Sequence, residues 1–339
     1  MDISDMIHVV IQLDPPTQRN GQSPMRIKRR ELFRQSASSI TAGGFLHLVS
    51  DHLQANPLGN TPPAFRFVHL TDMHVQPELG AVEGFKQCIA AVNKLSPKPD
   101  FVITGGDLIM DALAVDKPRL NLQWQLFDDS IKTIEMPVFH TIGNHDVTGW
   151  SKQQHISSGD PAYGKAIFSD RYGQGQTYRS FDHRGWHFIL LDSIGQAPNS
   201  PDYIGWIDDR QKDWLKNDLA TTGTLKPIVI VTHIPFLSTW NQVVDSPQKT
   251  LAGSSLIGNG FELRKILEPY RVKLILSGHG HVRERIDVNH ITHIQSGAVS
   301  GMWWKGPVFG DAEAFGLVTC HADSFDYRYE TFGWKARKV

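Results

Sequence analysis

Five short stretches of the chain place metal-ligating side chains directly after an apolar run. FRFVHLTDMH carries Asp72 and His74, FVITGGD carries Asp107, and PVFHTIGNHD carries Asn144, His145 and Asp146. PIVIVTHIP ends on His233, and VKLILSGHGHV ends on His279 and His281. Carboxylate, amide and imidazole donors without a thiolate suit Mn, Fe or Zn. Singly, each residue has a plainer reading. Asp72 could cap a helix, Asp107 and Asn144 could be turn residues, and His233 could be a satisfied core histidine. It is the recurrence in five consecutive blocks that the plain readings do not explain. So many donors exceed the needs of one open site but fit two ions sharing a bridging carboxylate, an aspartate whose two oxygens can each take a metal. Two cations about 3.5–4 Å apart can clamp the attacking and departing oxygens of a displacement at phosphorus.

For five separate loops to meet, the elements between them must bring the strand ends together. Helical patterns lie at about 79–95, 117–134, 206–219 and 259–269. Strands alternating with helices imply largely parallel sheets, whose carboxyl ends share one edge where ligands bind. The rest of the sequence bounds this picture. The chain has 339 residues, a formal charge of −1 and sixteen histidines, so nothing electrostatic argues for a nucleic-acid polymer as partner. Cys88 and Cys320 form neither a zinc spacing nor a disulfide framework and read as small core residues. No apolar run reaches the length needed to span a bilayer.

Residues 1–62 read as an extension with a linker, followed by one domain over 63–334. Within the extension, RIKRRELFR before a small-residue apolar stretch resembles a twin-arginine export signal. The other reading is a basic surface helix. Export to the periplasm and a cytoplasmic location both stay open at this stage.

With the blocks D-x-H, G-D, G-N-H-D, H and G-H-G-H in order, the chain resembles the calcineurin-like metallophosphoesterase family. The HLTDMH start and GWIDDRQKDWLKNDL look most like its bacterial cyclic-nucleotide phosphodiesterase branch. The resemblance implies an α/β fold: a two-sheet β-sandwich flanked by helices on both faces, four layers αββα. It implies two divalent metal ions as cofactors, with Asp72, His74 and His281 on the first, Asn144, His233 and His279 on the second, and Asp107 bridging. His145 corresponds to the histidine beside the metals that assists the leaving oxygen, and a metal-bridging hydroxide would be the nucleophile. Protein-phosphatase relatives carry an aspartate at the Met110 position, followed by arginine. Here Met110 and Asp111 stand instead, which puts a His145–aspartate dyad in doubt, with Asp111 an open substitute. Methionine also excludes the tyrosine ligand of purple acid phosphatases. The implied substrate is a small phosphoester, foremost a phosphodiester such as a cyclic nucleotide. A phosphomonoester or an exported nucleotide or lipid headgroup is the alternative, and a non-catalytic metal-binding scaffold would be expected to have lost donors. For substrate contacts, Trp303, Trp304 and Lys305 in GAVSGMWWKGP could stack on a base and meet a phosphate, or the tryptophans could pack beneath a loop.

Overall fold

The strand β1 (Phe65–Leu70) alternates its side chains between two buried faces, so both Phe67 and Val68 are fully enclosed. That double burial sets the architecture. The computed structural model describes residues 64–244, 246 and 253–337. The extension expected over 1–62, its twin-arginine stretch included, lies outside the described residues.

After β1 come α1 (Ala81–Asn93), β2 (Phe101–Gly105), α2 (Lys117–Ile131) and β3 (Val138–Thr141). A short α3 (Ala166–Phe168) leads to β4 (Arg179–His183), β5 (Trp186–Leu190) and a small hairpin, β6 (Ile194–Gln196) with β7 (Tyr203–Gly205). Then follow α4 (Asp209–Thr222), β8 (Ile228–Val231), α5 (Trp240–Val244), α6 (Gly260–Leu267) and β9 (Val272–Ser277). The chain closes with β10 (Arg283–Val288), β11 (Ile291–Ser296), β12 (Ala314–Cys320) and β13 (Phe325–Thr331). The four expected helices are α1, α2, α4 and α6. Aspartates start two of them: Asp116 accepts from Arg119 N–H at 2.9 Å and Asp208 from Gln211 N–H at 2.7 Å.

Two sheets make the sandwich, in the orders β13-β12-β1-β2-β3 and β10-β11-β9-β8-β5-β4. β1, β2 and β3 run parallel, as do β5, β8, β9 and β11, whereas β12, β13, β10 and β4 are antiparallel additions. Between the sheets lies an aromatic-rich core in which Phe65, Phe67 and Phe101 meet Trp186, Phe188, Val229 and Leu276. On the outer faces Val68 and Leu70 pack with Phe85 and Trp124 of α1 and α2, and Ile230 and Ile275 with Leu215 and Leu263 of α4 and α6. Cys88 lies in the outer core and Cys320 in the inner one, both free and buried. Among the described residues no helix is long and apolar enough to cross a membrane.

Candidate metal centre

All five donor blocks leave their strands at the same edge, and the loops are stitched to one another. Asp72 N–H donates to Gly106 O and His74 N–H to Asp107 O, both at 3.0 Å, joining the loops after β1 and β2. His279 N–H donates to the Asp72 carboxylate at 3.0 Å, joining one sheet's loops to the other's, and Gly278 N–H donates to His233 O at 3.0 Å, joining the loops after β9 and β8. The backbone is strained here: Asp72, His74, Asp107, His279 and His281 all have positive φ, between 43° and 72°. Left-handed backbone costs a non-glycine residue about 1–2 kcal/mol. Such strain is retained where the surroundings over-determine it, commonly at functional sites.

One group gathers Asp72, His74 and His281. His74 Nε2 lies 3.0 Å from His281 Nε2, and His281 Nε2 lies 3.4 Å from Asp72 Oδ1. A second gathers Asp107, His233, His279 and Asn144. Asn144 Oδ1 stands 3.0 Å from both His233 Nε2 and His279 Nδ1, and Asp107 Oδ2 is 3.2 Å from His233 Nε2. Asp107 Oδ2 also reaches His74 Nε2 at 3.5 Å, so this one oxygen faces both groups. The other oxygen, Oδ1, accepts His145 N–H at 2.9 Å. Asp107 thus faces both groups through Oδ2 and is tied to the loop after β3 through Oδ1.

The donor chemistry fits cations. His233 donates through Nδ1 to Gly105 O at 2.8 Å and His281 through Nδ1 to Gly301 O at 2.6 Å. This fixes the tautomers and turns both Nε2 lone pairs inward, the usual outer support of a metal-bound imidazole. Lone pairs then converge on carboxylate and amide oxygens with nothing positive between them, unless a proton or a metal ion intervenes. The titration behaviour agrees. Burial would lower His233, but the Asp107 carboxylate outweighs it and holds the ring up at about 9. Burial pushes His279 down to about 3 and His74 well below the usual histidine range, each against the pull of Asp107. Burial would raise Asp107, but His233 and His145 hold it well below the carboxylate range. Among the described residues, three His/Asp groups are close enough to hold an ion: Asp72–His74–His281, Asp107–His233–His279 and His74–Asp107–His145.

His145 stands at the rim, its ring 4.8 Å from that of His74. Its Nδ1 donates to the Met110 carbonyl at 2.6 Å. Asp111 does not substitute for the missing dyad aspartate: its carboxylate accepts Leu113 N–H at 2.7 Å, closing its own turn. Of the expected substrate contacts, Trp303 lies at the site, with its ring 4.6 Å from His281 and 6.0 Å from His74. Trp304 does not. It is 1 % exposed and its indole N–H donates to Met73 O and His74 O at 3.0 and 3.1 Å, so no ring face is left for a base. Lys305 is exposed on the turn beyond it.

Sequence reasoning missed several supports. Asp146 is fully buried and accepts Leu108 N–H and Gly143 N–H, both at 2.8 Å, and Ile109 N–H at 3.3 Å, locking the Asp107 and Asn144 loops together. Burial and the neighbouring Asp107 push this carboxyl up to about 8, against the pull of those N–H groups. Thr71 Oγ1 donates to Asp72 Oδ2 at 2.6 Å. Tyr203 lies with its ring 6.4 Å from that of His279. The aspartate after G-N-H was a visible signal for Asp146. Nothing in the residue order pointed to the threonine or the tyrosine.

Comparison with known proteins meets this geometry. Residues 65–283 match the family model described as calcineurin-like phosphoesterase. The chain is 22 % identical over 252 residues to a protein of Xenorhabdus bovienii named probable cyclic nucleotide phosphodiesterase, covering 71 % of this chain and 88 % of that one. It is 24 % identical over 256 residues to the serine/threonine-protein phosphatase CPPED1 of Pongo abelii, covering 72 % and 71 % respectively. In fold it is similar to a dimetal phosphatase from Danio rerio, with a TM-score of 0.54 at 15 % identity, over 79 % of this chain and 99 % of that one. With the helix-flanked double sheet and its converging His/Asp groups, the match over 65–283 establishes that the chain belongs to the calcineurin-like phosphoesterase family and is a metal-dependent phosphoric ester hydrolase.

Proposed function

We propose that the protein hydrolyses a small phosphodiester at a centre of two divalent cations. Asp72, His74 and His281 hold one, Asn144, His233 and His279 hold the other, and Asp107 lies between them. The observation that carries this reading is Asp107 Oδ2, which faces His233 Nε2 at 3.2 Å and His74 Nε2 at 3.5 Å. Two cations there supply Lewis-acid polarisation of the phosphoryl group and a more acidic water nucleophile. The chain's own residues do the rest. The carbonyls of Gly105 and Gly301 keep the ligating rings in one tautomer. His145, held by Met110 O through Nδ1, presents Nε2 to the substrate and can carry a proton to the leaving oxygen.

The preference for a diester is supported by the His145–Met110 contact, which leaves this histidine without the carboxylate partner that the protein-phosphatase pattern implies. It is also supported by the 22 % identical relative named for cyclic nucleotides. A phosphomonoesterase is the second reading, favoured by the similarity to CPPED1. The full chain, loaded with Mn²⁺ and then treated with chelator, should hydrolyse bis-p-nitrophenyl phosphate faster than p-nitrophenyl phosphate and lose both activities with the metal. A faster monoester would replace the diester reading. Turnover that survives chelation would overturn the metal-dependent one. On location, we propose export guided by the arginine pair of the extension with cleavage after Leu53-Gln54-Ala55, tested by N-terminal sequencing of the native protein: a start near Asn56 supports it, and an uncleaved extension refutes it.

A further inference from the structure

The two adjacent tryptophans have opposite environments, and the difference has a use. Trp304 is an anchor. Its ring is buried against Gly84 of α1 and meets Trp334 edge-on at 5.6 Å, while its N–H grips the carbonyls of Met73 and His74. Both tryptophans have positive φ, 48° for Trp303 and 68° for Trp304, following Gly301 at 54°. With Trp304 pinned under the Asp72–His74 loop, this left-handed run turns Trp303 the other way, onto the rings of His281 and His74. Trp303 stays partly exposed through its ring, while its indole nitrogen is buried and has no hydrogen-bond partner among the described residues. His145 flanks the same His74 ring at 4.8 Å. Trp303 and His145 thus both flank the His74 ring, so a phosphoryl group held at the Asp72–His74–His281 group would lie near both.

Resting on the proposed function, we infer that Trp303 is a specificity-determining residue. It forms an aromatic wall that selects phosphoesters whose organic group carries a planar ring, aryl or heteroaryl. Indole offers a large π face, and stacking on such a face is tolerant of which ring it meets.

The test uses the full chain loaded with Mn²⁺ and two ligands that share a head group, phenylphosphonate and methylphosphonate, measured as inhibitors of bis-p-nitrophenyl phosphate hydrolysis. Wild type should bind the phenyl compound at least about fivefold more tightly, the lower end of measured base–aromatic stacking. Trp303→Ala should remove that preference while leaving methylphosphonate inhibition and manganese content unchanged, and Trp303→Phe should restore most of it. An active, manganese-loaded wild type indifferent to the ring would overturn this inference alone. So would Trp303→Ala weakening both ligands equally or losing manganese, since the indole would then merely support His281. A wild type that binds no manganese would overturn the proposed function and this inference with it.

Discussion

Gly84→Ala separates two forces of opposite sign. Gly84 lies inside α1, where alanine is favoured over glycine by about 1 kcal/mol, so propensity alone predicts stabilisation. The surroundings reverse this. A Cβ there would stand 2.2, 2.7 and 3.0 Å from Cζ3, Cε3 and Cη2 of Trp304. That ring has little room to retreat, being 1 % exposed and hydrogen-bonded to Met73 O and His74 O. Overpacking a core costs about 1–3 kcal/mol, and a strained or lost indole hydrogen bond costs about 1 more. Setting the propensity gain against these leaves a net loss of about 1–3 kcal/mol, a fall in Tm on the order of 5 °C. The displacement is also transmitted, because the strained carbonyls belong to the Met73–His74 loop. Loss of outer support of this kind weakens metal binding by about 10-fold or more. Thermal unfolding of the metal-free protein and Mn²⁺ titration by calorimetry read both effects. Adding Trp304→Phe, which shrinks the ring, should recover part of the stability. A Gly84→Ala protein more stable than wild type, with unchanged manganese affinity, would refute the claim that Trp304 is a fixed strut.

Other perturbations follow from the same contacts. Gly278→Ala would set a Cβ 1.9 Å from Thr71 Oγ1 and 2.3 Å from Asp72 Oδ2, so calorimetry should find the Asp72–His74–His281 group weakened and the second group less affected; equal affinity at both would contradict it. Asp146→Ala strips the acceptor from three backbone N–H groups and should cost about 3 kcal/mol or more in urea unfolding, whereas a loss under about 1 kcal/mol would mean that the carboxyl does not lock the two loops. His187 has Nδ1 2.7 Å from Asp182 and Nε2 2.8 Å from Asp218; burial would lower its pKa, but these bonds raise it above the ordinary value of about 6.5. A raised folded pKa contributes stability that is fully present below about pH 6.5 and is lost as pH rises through the folded value, so His187→Gln should flatten that part of the stability–pH curve.

What was legible in the residues follows from where strands stop. A buried strand that ends in Asp-x-His or Gly-His-Gly-His advertises its donors, and alternation with helices brings those ends to one edge. The antiparallel strands β10, β12 and β13 were less visible. β10 and β13 pair with their sequence neighbours β11 and β12, but what ties β12 into its sheet is β1, some 250 residues away. The tryptophan pair shows a different limit. Composition treats Trp303 and Trp304 alike, and only the left-handed turn after Gly301 sends one into the core and the other to the rim. Likewise the partner of His145 is a main-chain carbonyl, which every residue possesses, so no residue type at position 110 could have announced it.

The central claim is that Asp107, which faces both groups of donors, would tie two cations into one centre. It is tested most directly by manganese stoichiometry and electron paramagnetic resonance on wild type and Asp107→Asn. The account predicts two ions per wild-type chain with an exchange-coupled spectrum. In Asp107→Asn it predicts loss of the coupling and of at least one ion, with hydrolysis of bis-p-nitrophenyl phosphate abolished. Two uncoupled ions in wild type, or a coupled pair that survives in Asp107→Asn, would contradict it.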